Sequence, residues 1–552
     1  MPPLALVVPI ALPIAASLIA AASGRFGWHL GRVPAAAGSL AALIALLSIW
    51  IPIRSTLDIP IGALGFGANL DLRLDAVGLA FGLLILGPAS VLLWLQPRTW
   101  RESTVASLGV AAAVLLIESR GALLTALAGS TAATLALIQL EMEDVEAPRP
   151  AWAVVLAPWL AMAWVGVILL VQGGTADYDS VPVAALTTPV LLLVAMAAVM
   201  ASGLYPWRGW AARLWARPSL RATGIMIATV QPLGVYLLVR AYEMGDGRYP
   251  NSTLNVALVA WGVLVALGAA VRAQAATTRR EYMSEVLPGL AGFALMSVAV
   301  GSALGVVAAV ILLTAAAVTT TCLPLLPQKR GAASFFVVAA AAGVPPSLAF
   351  GGRLLGLDAA FEVGGAIGLI GVAGVATWLV SVAAAARSIG LPHGPGHPPA
   401  EVVPRVAAGL GAISIAAGPG LAVGALLAGY VAADVIALPG GESLGGGLSV
   451  STVSTVVAAV ALLGPLLVLG IVALALSRPS APGAAAGEGR APLFVVPGTD
   501  LLRAGLASLR AAAVPDQYRS LFNPQALERI AAGGTPLLWL AALVALAFAV
   551  TR

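Results

Sequence analysis

The sequence predicts an all-α polytopic membrane protein with about 14–16 transmembrane helices. Two counts and one pattern support that. Of 552 residues, 60% are hydrophobic and 10% are charged, and the mean hydropathy is +0.99. Soluble domains carry about 25% charged residues. Apolar runs of the length a bilayer demands, about 20 residues, recur along most of the chain. The same composition argues against nucleic acid as a partner: the net charge of +5 comes from thinly spread arginines, not from a basic face. Lys+Arg is 29 and Lys329 is the single lysine, so 28 are arginine. A buried-lysine proton relay cannot be built from such a chain.

In order, the apolar runs are 4–22, 34–53, 76–95, 104–117, 121–140, 151–172, 184–204, 222–241, 252–271, 286–302, 304–325, 333–352, 363–386, 404–430, 450–476 and 535–550. They divide the chain into N-terminal transmembrane helices (1–103), a first repeat (104–241), a second repeat (252–386) and C-terminal transmembrane helices (404–476). An Ala/Gly/Pro-rich linker (477–499), an amphipathic surface segment (500–531) and a terminal transmembrane helix (535–552) follow. In the surface segment Leu502, Leu506 and Leu509 share one helical stripe, suited to a membrane surface or to partner subunits; a short connector reads equally well.

Positive loops after odd-numbered spans (Arg25 and Arg32; Arg98 and Arg101; Arg208, Arg213, Arg217 and Arg221; Arg272, Arg279 and Arg280; Lys329 and Arg330) place those loops inside and the N-terminus outside. The expected location is therefore the inner (plasma) membrane, multi-pass. Met-Pro-Pro-Leu at the start has no basic region, so no cleaved signal peptide is expected. Cys322 is alone, and His393 and His397 sit in a Gly/Pro-rich stretch, so neither a disulfide nor a metal site is expected. No phosphate-binding loop or dinucleotide fingerprint appears, so no cofactor is expected in this chain. Gly364, Gly365, Gly368, Gly371 and Gly374 fit close helix packing better than phosphate binding.

Two interruptions carry proline inside apolar runs: Ser202-Gly203-Leu204-Tyr205-Pro206 and Gly343-Val344-Pro345-Pro346. Proline frees a backbone carbonyl there, which protein or water must satisfy. Broken helices in corresponding positions of two repeats point to an ion pathway. Five spans separate spans seven and twelve, an odd offset, so two inverted five-helix repeats are expected; kinked packing is the plainer reading.

The residues around these breaks resemble a known family. Ala201-Ser202-Gly203-Leu204-Tyr205-Pro206-Trp207-Arg208-Gly209-Trp210, then Pro218, Thr229 and Gly234-Val235-Tyr236-Leu237-Leu238, follow the spacing of the antiporter-like subunits of respiratory complex I and of Mrp-type cation/proton antiporters. Leu72-Arg73-Leu74-Asp75-Ala76-Val77-Gly78-Leu79 resembles that family's entry to its third helix, and Gly343-Val344-Pro345-Pro346 with Phe350 and Arg353 resembles its Gly-Ile-Pro-Pro motif. Arg280 with Gly292-Phe293 is a weaker echo, and the resemblance spans roughly residues 70–355. The resemblance implies a membrane-arm subunit of a proton-translocating assembly of the NADH-quinone oxidoreductase type, with other membrane subunits and the lipid bilayer as partners.

It also implies a buried relay of one glutamate and several lysines, and here the chain departs from the family. The glutamate position falls at Gly129 or Ser130, the seventh-helix lysine at Ala201, the eighth-helix histidine near Met226, and the central His and Lys at Ala315 and Thr319. Arg353 keeps a charge, but arginine does not deprotonate. The low-weight proton-path candidates are Glu285, Asp434, Arg353, Arg208, Thr319 and Ser130, with Thr320 and Thr321 able to order water. Glu285 and Asp434 are expected within a turn or two of a span end, in reach of water. Asp75 is expected to pair with Arg73 or cap the third helix, Arg208 to be a loop charge or carboxylate partner, and Glu118 with Arg120 to form a surface pair. Three functional readings remain: contribution to proton translocation, a structural non-conducting subunit, and a subunit of an Mrp-type antiporter or other ion-coupled complex.

Overall fold

The computed structural model describes residues 5–28, 30–53, 55–65, 68–95, 99–142, 152–208, 221–322, 332–344 and 347–388, with residues 540, 541, 544 and 545. Spans fourteen and fifteen, most of span sixteen, the linker, the surface segment, Asp434, His393 and His397 lie outside the described residues.

The helices are α1 (Val7–Arg25), α2 (Val33–Ile53), α3 (Ala76–Leu95), α4 (Trp100–Ile117), α5 (Ala122–Met142), α6 (Trp152–Gly173), α7 (Thr188–Ala201), α8 (Arg221–Met244), α9 (Ser252–Ala275), α10 (Arg279–Ala299), α11 (Ala303–Cys322), α12 (Ala332–Ala342), α13 (Leu348–Val363) and α14 (Gly365–Ser388). Among the described residues, 10 helices are long and apolar enough to cross a membrane. The chain is an all-α polytopic membrane protein. Twelve of the first thirteen expected spans each coincide with one helix, and polar caps set several starts. Thr99 and Glu102 form a reciprocal capping box on α4, and Asn251 accepts from the Leu254 amide at 3.0 Å to open α9.

Two elements differ from the expectation. Span ten begins at Arg279, not at 286, because Thr278 caps the helix and accepts from the Glu281 amide at 3.1 Å. Three consecutive charged residues at 279–281 mask that first turn from a hydropathy scan. Span twelve is two helices, α12 and α13: Gly343, at φ +75°, ends the first, and Ser347 starts the second by accepting from the Phe350 amide at 3.2 Å. An added Cβ at Gly343 would also meet the Arg353 guanidinium, so the turn requires glycine.

The apolar scan also passes over a β-hairpin, β1 (Leu57–Gly65) against β2 (Ala68–Leu74), antiparallel with Asp58 opposite Arg73 and Leu57 opposite Leu74. Its second strand alternates Leu70, Leu72 and Leu74 with Asp71 and Arg73, the two-residue period of a half-buried strand. The hairpin docks on two loops through the backbone. The Arg73 amide donates to Glu118 O at 2.7 Å, Arg120 to Asp71 O at 3.1 Å, and Tyr178 to Arg120 O at 3.0 Å.

α3 packs on α8 and α11, α9 on α10 and α14, and α11 on α13. α9 and α10 meet at Gly262 and Gly292, where an added Cβ would meet the other helix's backbone. In the α14 glycine run, Gly371 and Gly374 pack against Phe361 and Leu357 of α13. Gly364 and Gly365 instead take positive φ (+70° and +54°) and turn the chain between α13 and α14.

Candidate functional site

Charged groups inside a membrane protein gather where partners satisfy them, and here they form two groups. The first sits at the hairpin end. Asp75 precedes α3 and accepts from the Gly78 amide at 2.7 Å, capping the helix as expected. Arg73 lies 3.3 Å from Asp75, also as expected. The dominant partner comes from α8. Arg240, 1% exposed, donates to Asp75 Oδ2 at 2.6 Å and Oδ1 at 3.1 Å, to Glu243 at 2.6 Å, and to the Tyr236 hydroxyl at 3.0 Å. Its guanidinium stacks over Tyr236 at 5.0 Å and Tyr178 at 5.5 Å. Arg73 reaches onward to Asp179 (3.1 Å) and Glu243 (3.2 Å), and Arg120 to Asp179 (2.9 Å) and Asp71 (3.5 Å).

Desolvation raises the Asp75 carboxyl, but the charge and hydrogen bonds of Arg240, the Arg73 charge and the Gly78 amide together outweigh it and hold the group below its ordinary value. Asp179 is likewise held down against its burial by the Arg120 hydrogen bonds together with the Arg73 and Arg120 charges. Asp177, which accepts from Asn69 at 3.3 Å, is pushed up by burial.

Glu118 does not pair with Arg120 at the surface. Arg120 pairs with Asp179 and Asp71, while Glu118 is fully buried and neither carboxyl oxygen has a hydrogen-bond partner among the described residues. The loop turns inward there because its backbone joins the hairpin. Burial pushes the Glu118 carboxyl well above the usual range. Beside it in sequence, Ser119 and Thr125 hydroxyls are in contact, and Tyr178 donates to Thr125 at 2.6 Å.

The second group lies at the other end of α8 and α9. Glu285, in the second turn of α10, contacts Arg208 and accepts from Arg272 Nε at 3.0 Å. Glu285 and Arg208 are both 8% exposed. Glu285 is thus buried between two guanidiniums, and it lies within two turns of the start of α10, as expected. Arg208 is the carboxylate partner, one of its two expected roles.

Both helix breaks are closed by side chains. After α7, Gln231 donates to Ser202 O at 3.3 Å and Trp261 to Tyr205 O at 3.0 Å. After α12, Arg353 donates to Ala342 O, and Trp378 to Gly343 O at 3.2 Å. Arg353 is 2% exposed and its guanidinium lies 5.0 Å from the Phe293 ring centre.

The centre between the two groups is built differently. An added Cβ at Gly129 would enter the Trp159 ring. Ala201 and Ala315 are buried. The Thr319, Thr320 and Thr321 hydroxyls donate to carbonyls one turn back in their own helix, at 2.7–2.8 Å, and Ser130 donates to Leu127 O at 2.8 Å. Each of these hydroxyls donates its proton to a backbone carbonyl of its own helix. The residues that sequence reasoning passed over are Arg240, Glu243, Tyr178 and Asp179; Arg272 reads there only as a loop charge and Tyr236 only as part of a motif. A usable signal existed for Arg240 and Glu243, an i,i+3 pair of opposite charge ending an otherwise apolar run.

Chains of solved membrane complexes share this fold. The chain is similar to one in the Mrp complex from Dietzia sp. DQ12-45-1b, with TM-score 0.71 and 20% identity, over 100% of this chain and 63% of that one. It thus spans under two thirds of the matched Mrp chain. It is also similar to a chain of respiratory complex I from Thermus thermophilus with bound NADH, with TM-score 0.63 and 18% identity, over 80% of this chain and 100% of that one. A third is in the membrane-bound sulfane sulfur reductase, an archaeal respiratory membrane complex, with TM-score 0.65 and 15% identity, over 78% of this chain and 97% of that one. No protein-family model and no curated protein matches the sequence.

Proposed function

We propose that this chain is a membrane subunit of an ion-translocating assembly of the complex I/Mrp kind, and that it scaffolds the membrane arm without carrying protons along the family's central axis. The carrying observation is Trp159, whose ring fills the space a side chain at Gly129 would need. Ala201, Ala315 and the back-bonded Thr319 extend that run of non-titrating positions. Redox cofactors and proton-relay lysines belong to its partners on this reading. The arginine-rich loops favour an inner (plasma) membrane with the hairpin end outside.

A second reading, a proton path through this chain, is favoured by one observation: Glu285 and Arg353 line the same cavity. One experiment separates the two. The complex is purified with its partners, reconstituted in vesicles, and assayed for proton flux with Glu285→Gln and Thr319→Val. Scaffolding predicts flux within about twofold of wild type in both. A roughly tenfold loss, about 1.4 kcal/mol of barrier, with the assembly intact defeats it.

A further inference from the structure

One end of the first four helices gathers exposed aromatic rings and unpaired arginines. α1, α2, α3 and α4 are each long and apolar enough to span, so the turns that join them lie near a bilayer surface. The α1–α2 turn touches the start of α4 there. Trp100 lies against Gly24, where an added Cβ would enter its ring, and the Ser103 hydroxyl donates to Gly31 O at 2.8 Å. Gly27, at φ +71°, lets the Trp28 amide fold back to Ser23 O at 2.8 Å, and the Phe26 and Trp28 rings come to 5.6 Å.

Phe26 and Trp28 are 65% and 57% exposed, and Trp94 at the end of α3 is 54% exposed. Rings left open in this way match the headgroup layer of a bilayer. Three arginines stand among them: Arg25 in the last turn of α1, Arg32 just before α2, and Arg101 in the first turn of α4. Arg25 and Arg101 are exposed and Arg32 is half-buried. None of the three has an ion-pair partner among the described residues. Arg101 stacks over Trp100 at 5.2 Å, which uses its flat face and leaves its N–H edge open. The acid of that turn, Glu102, is buried and accepts from the Thr99 amide. Guanidinium forks match phosphate oxygens bidentately, and a phosphate held at the level of these rings is one carried by a lipid. A zwitterionic headgroup would bring a cation against the arginines, so the charge favours an anionic one.

We propose that the α1–α2 turn and the start of α4 bind the headgroup of an anionic phospholipid, with Arg25, Arg32 and Arg101 as phosphate donors and Phe26 and Trp28 as interfacial anchors. The site asks only that these helices span a bilayer, and it is independent of what the assembly translocates.

The full-length protein in neutral detergent is titrated with phosphatidylglycerol, phosphatidylcholine or inorganic phosphate. The sole cysteine, Cys322, is buried, so labelling by a thiol-reactive fluorophore reports the unfolding midpoint. Phosphatidylglycerol raises the midpoint with saturation; phosphatidylcholine and inorganic phosphate do not. The triple variant Arg25→Gln, Arg32→Gln, Arg101→Gln needs about tenfold more phosphatidylglycerol or beyond, because each arginine near an anionic surface contributes on the order of fivefold. Phe26→Ser with Trp28→Ser keeps the charges and weakens the same binding by about twofold or more, so the test survives if the triple variant fails to insert. Arg248→Gln, at an exposed position in the turn after α8, leaves the titration as it was. Equal effects of the two lipids, reproduction by inorganic phosphate, no effect on the wild type, persistence in both site variants, or an equal loss in Arg248→Gln overturns the site.

Discussion

Replacing Arg240 by methionine tests whether the hairpin-end group holds the fold together. The side chains are of similar length, so packing against Tyr236 and Tyr178 is largely kept while the charge is removed. Three hydrogen bonds to carboxylates disappear, at 2.6, 2.6 and 3.1 Å. Asp75 and Glu243, 2% and 6% exposed, are left with Arg73 as their one guanidinium among the described residues, Asp75 keeping the Gly78 amide as well. Breaking a buried pair from one side costs about 3–5 kcal/mol, because the abandoned charge stays buried. The expected destabilisation is about that much, measured from the midpoint of SDS-induced unfolding in mixed micelles with Cys322 labelling as readout. Adding Asp75→Asn should recover part of the loss, with a coupling of about 0.5–3 kcal/mol. Arg25→Met, at an exposed helix end, should stay within about 0.5 kcal/mol. If Arg240→Met lies within about 1 kcal/mol of wild type, the guanidinium is not what neutralises Asp75 and the energetic account of this end is wrong.

Two other substitutions probe the remaining buried features. Glu118→Gln should flatten the pH dependence of stability. Below the ordinary glutamate value of 4.5 both states hold the proton. As pH rises through that value the unfolded chain releases it while the buried group does not. Wild-type stability therefore falls, by up to about 1.4 kcal/mol per pH unit, until pH passes the raised folded value. Unfolding midpoints of the two proteins from pH 5 to pH 9 should diverge in favour of the variant; parallel curves would mean that Glu118 ionises freely in the fold. Gly129→Glu places a carboxyl at the family's glutamate position but should lower stability by about 2 kcal/mol or more through overpacking. Proton flux should not rise. Combining it with Trp159→Ala should recover part of that stability, and full stability of the single variant would contradict the packing at Gly129.

The spans were legible because a bilayer leaves few alternatives to a run of about 20 apolar residues. The errors arose where another rule took over. Arg279, Arg280 and Glu281 depress hydropathy at the start of α10, although Thr278 makes that turn a good helix start. The hairpin strand 68–74 has a period of two and is too short for a span-length scan. Asp75 with Arg73 was readable because the two are neighbours in sequence. Arg240 was not, since it lies 165 residues away and only folding brings it in. Glu118 and Arg120 look alike in sequence, as charges in one short loop. Their fates differ because Arg120 meets Asp71 and Asp179, both distant in sequence, while Glu118, at the end of α4, is buried.

The two breaks show how the fold satisfies the backbone of an interrupted helix with side chains from other elements. A break frees carbonyls that lipid cannot satisfy. Here each is met by donors from elsewhere: Gln231 and Trp261 at the first, Arg353 and Trp378 at the second. None of the four can exchange a proton near neutral pH, since amides and indoles do not ionise and a guanidinium does not deprotonate. A lysine at position 353 would supply a donor and a removable proton. Arginine supplies the donor and a permanent charge, so the second break carries a fixed field instead of a switchable one. A fixed field cannot relay protons by itself.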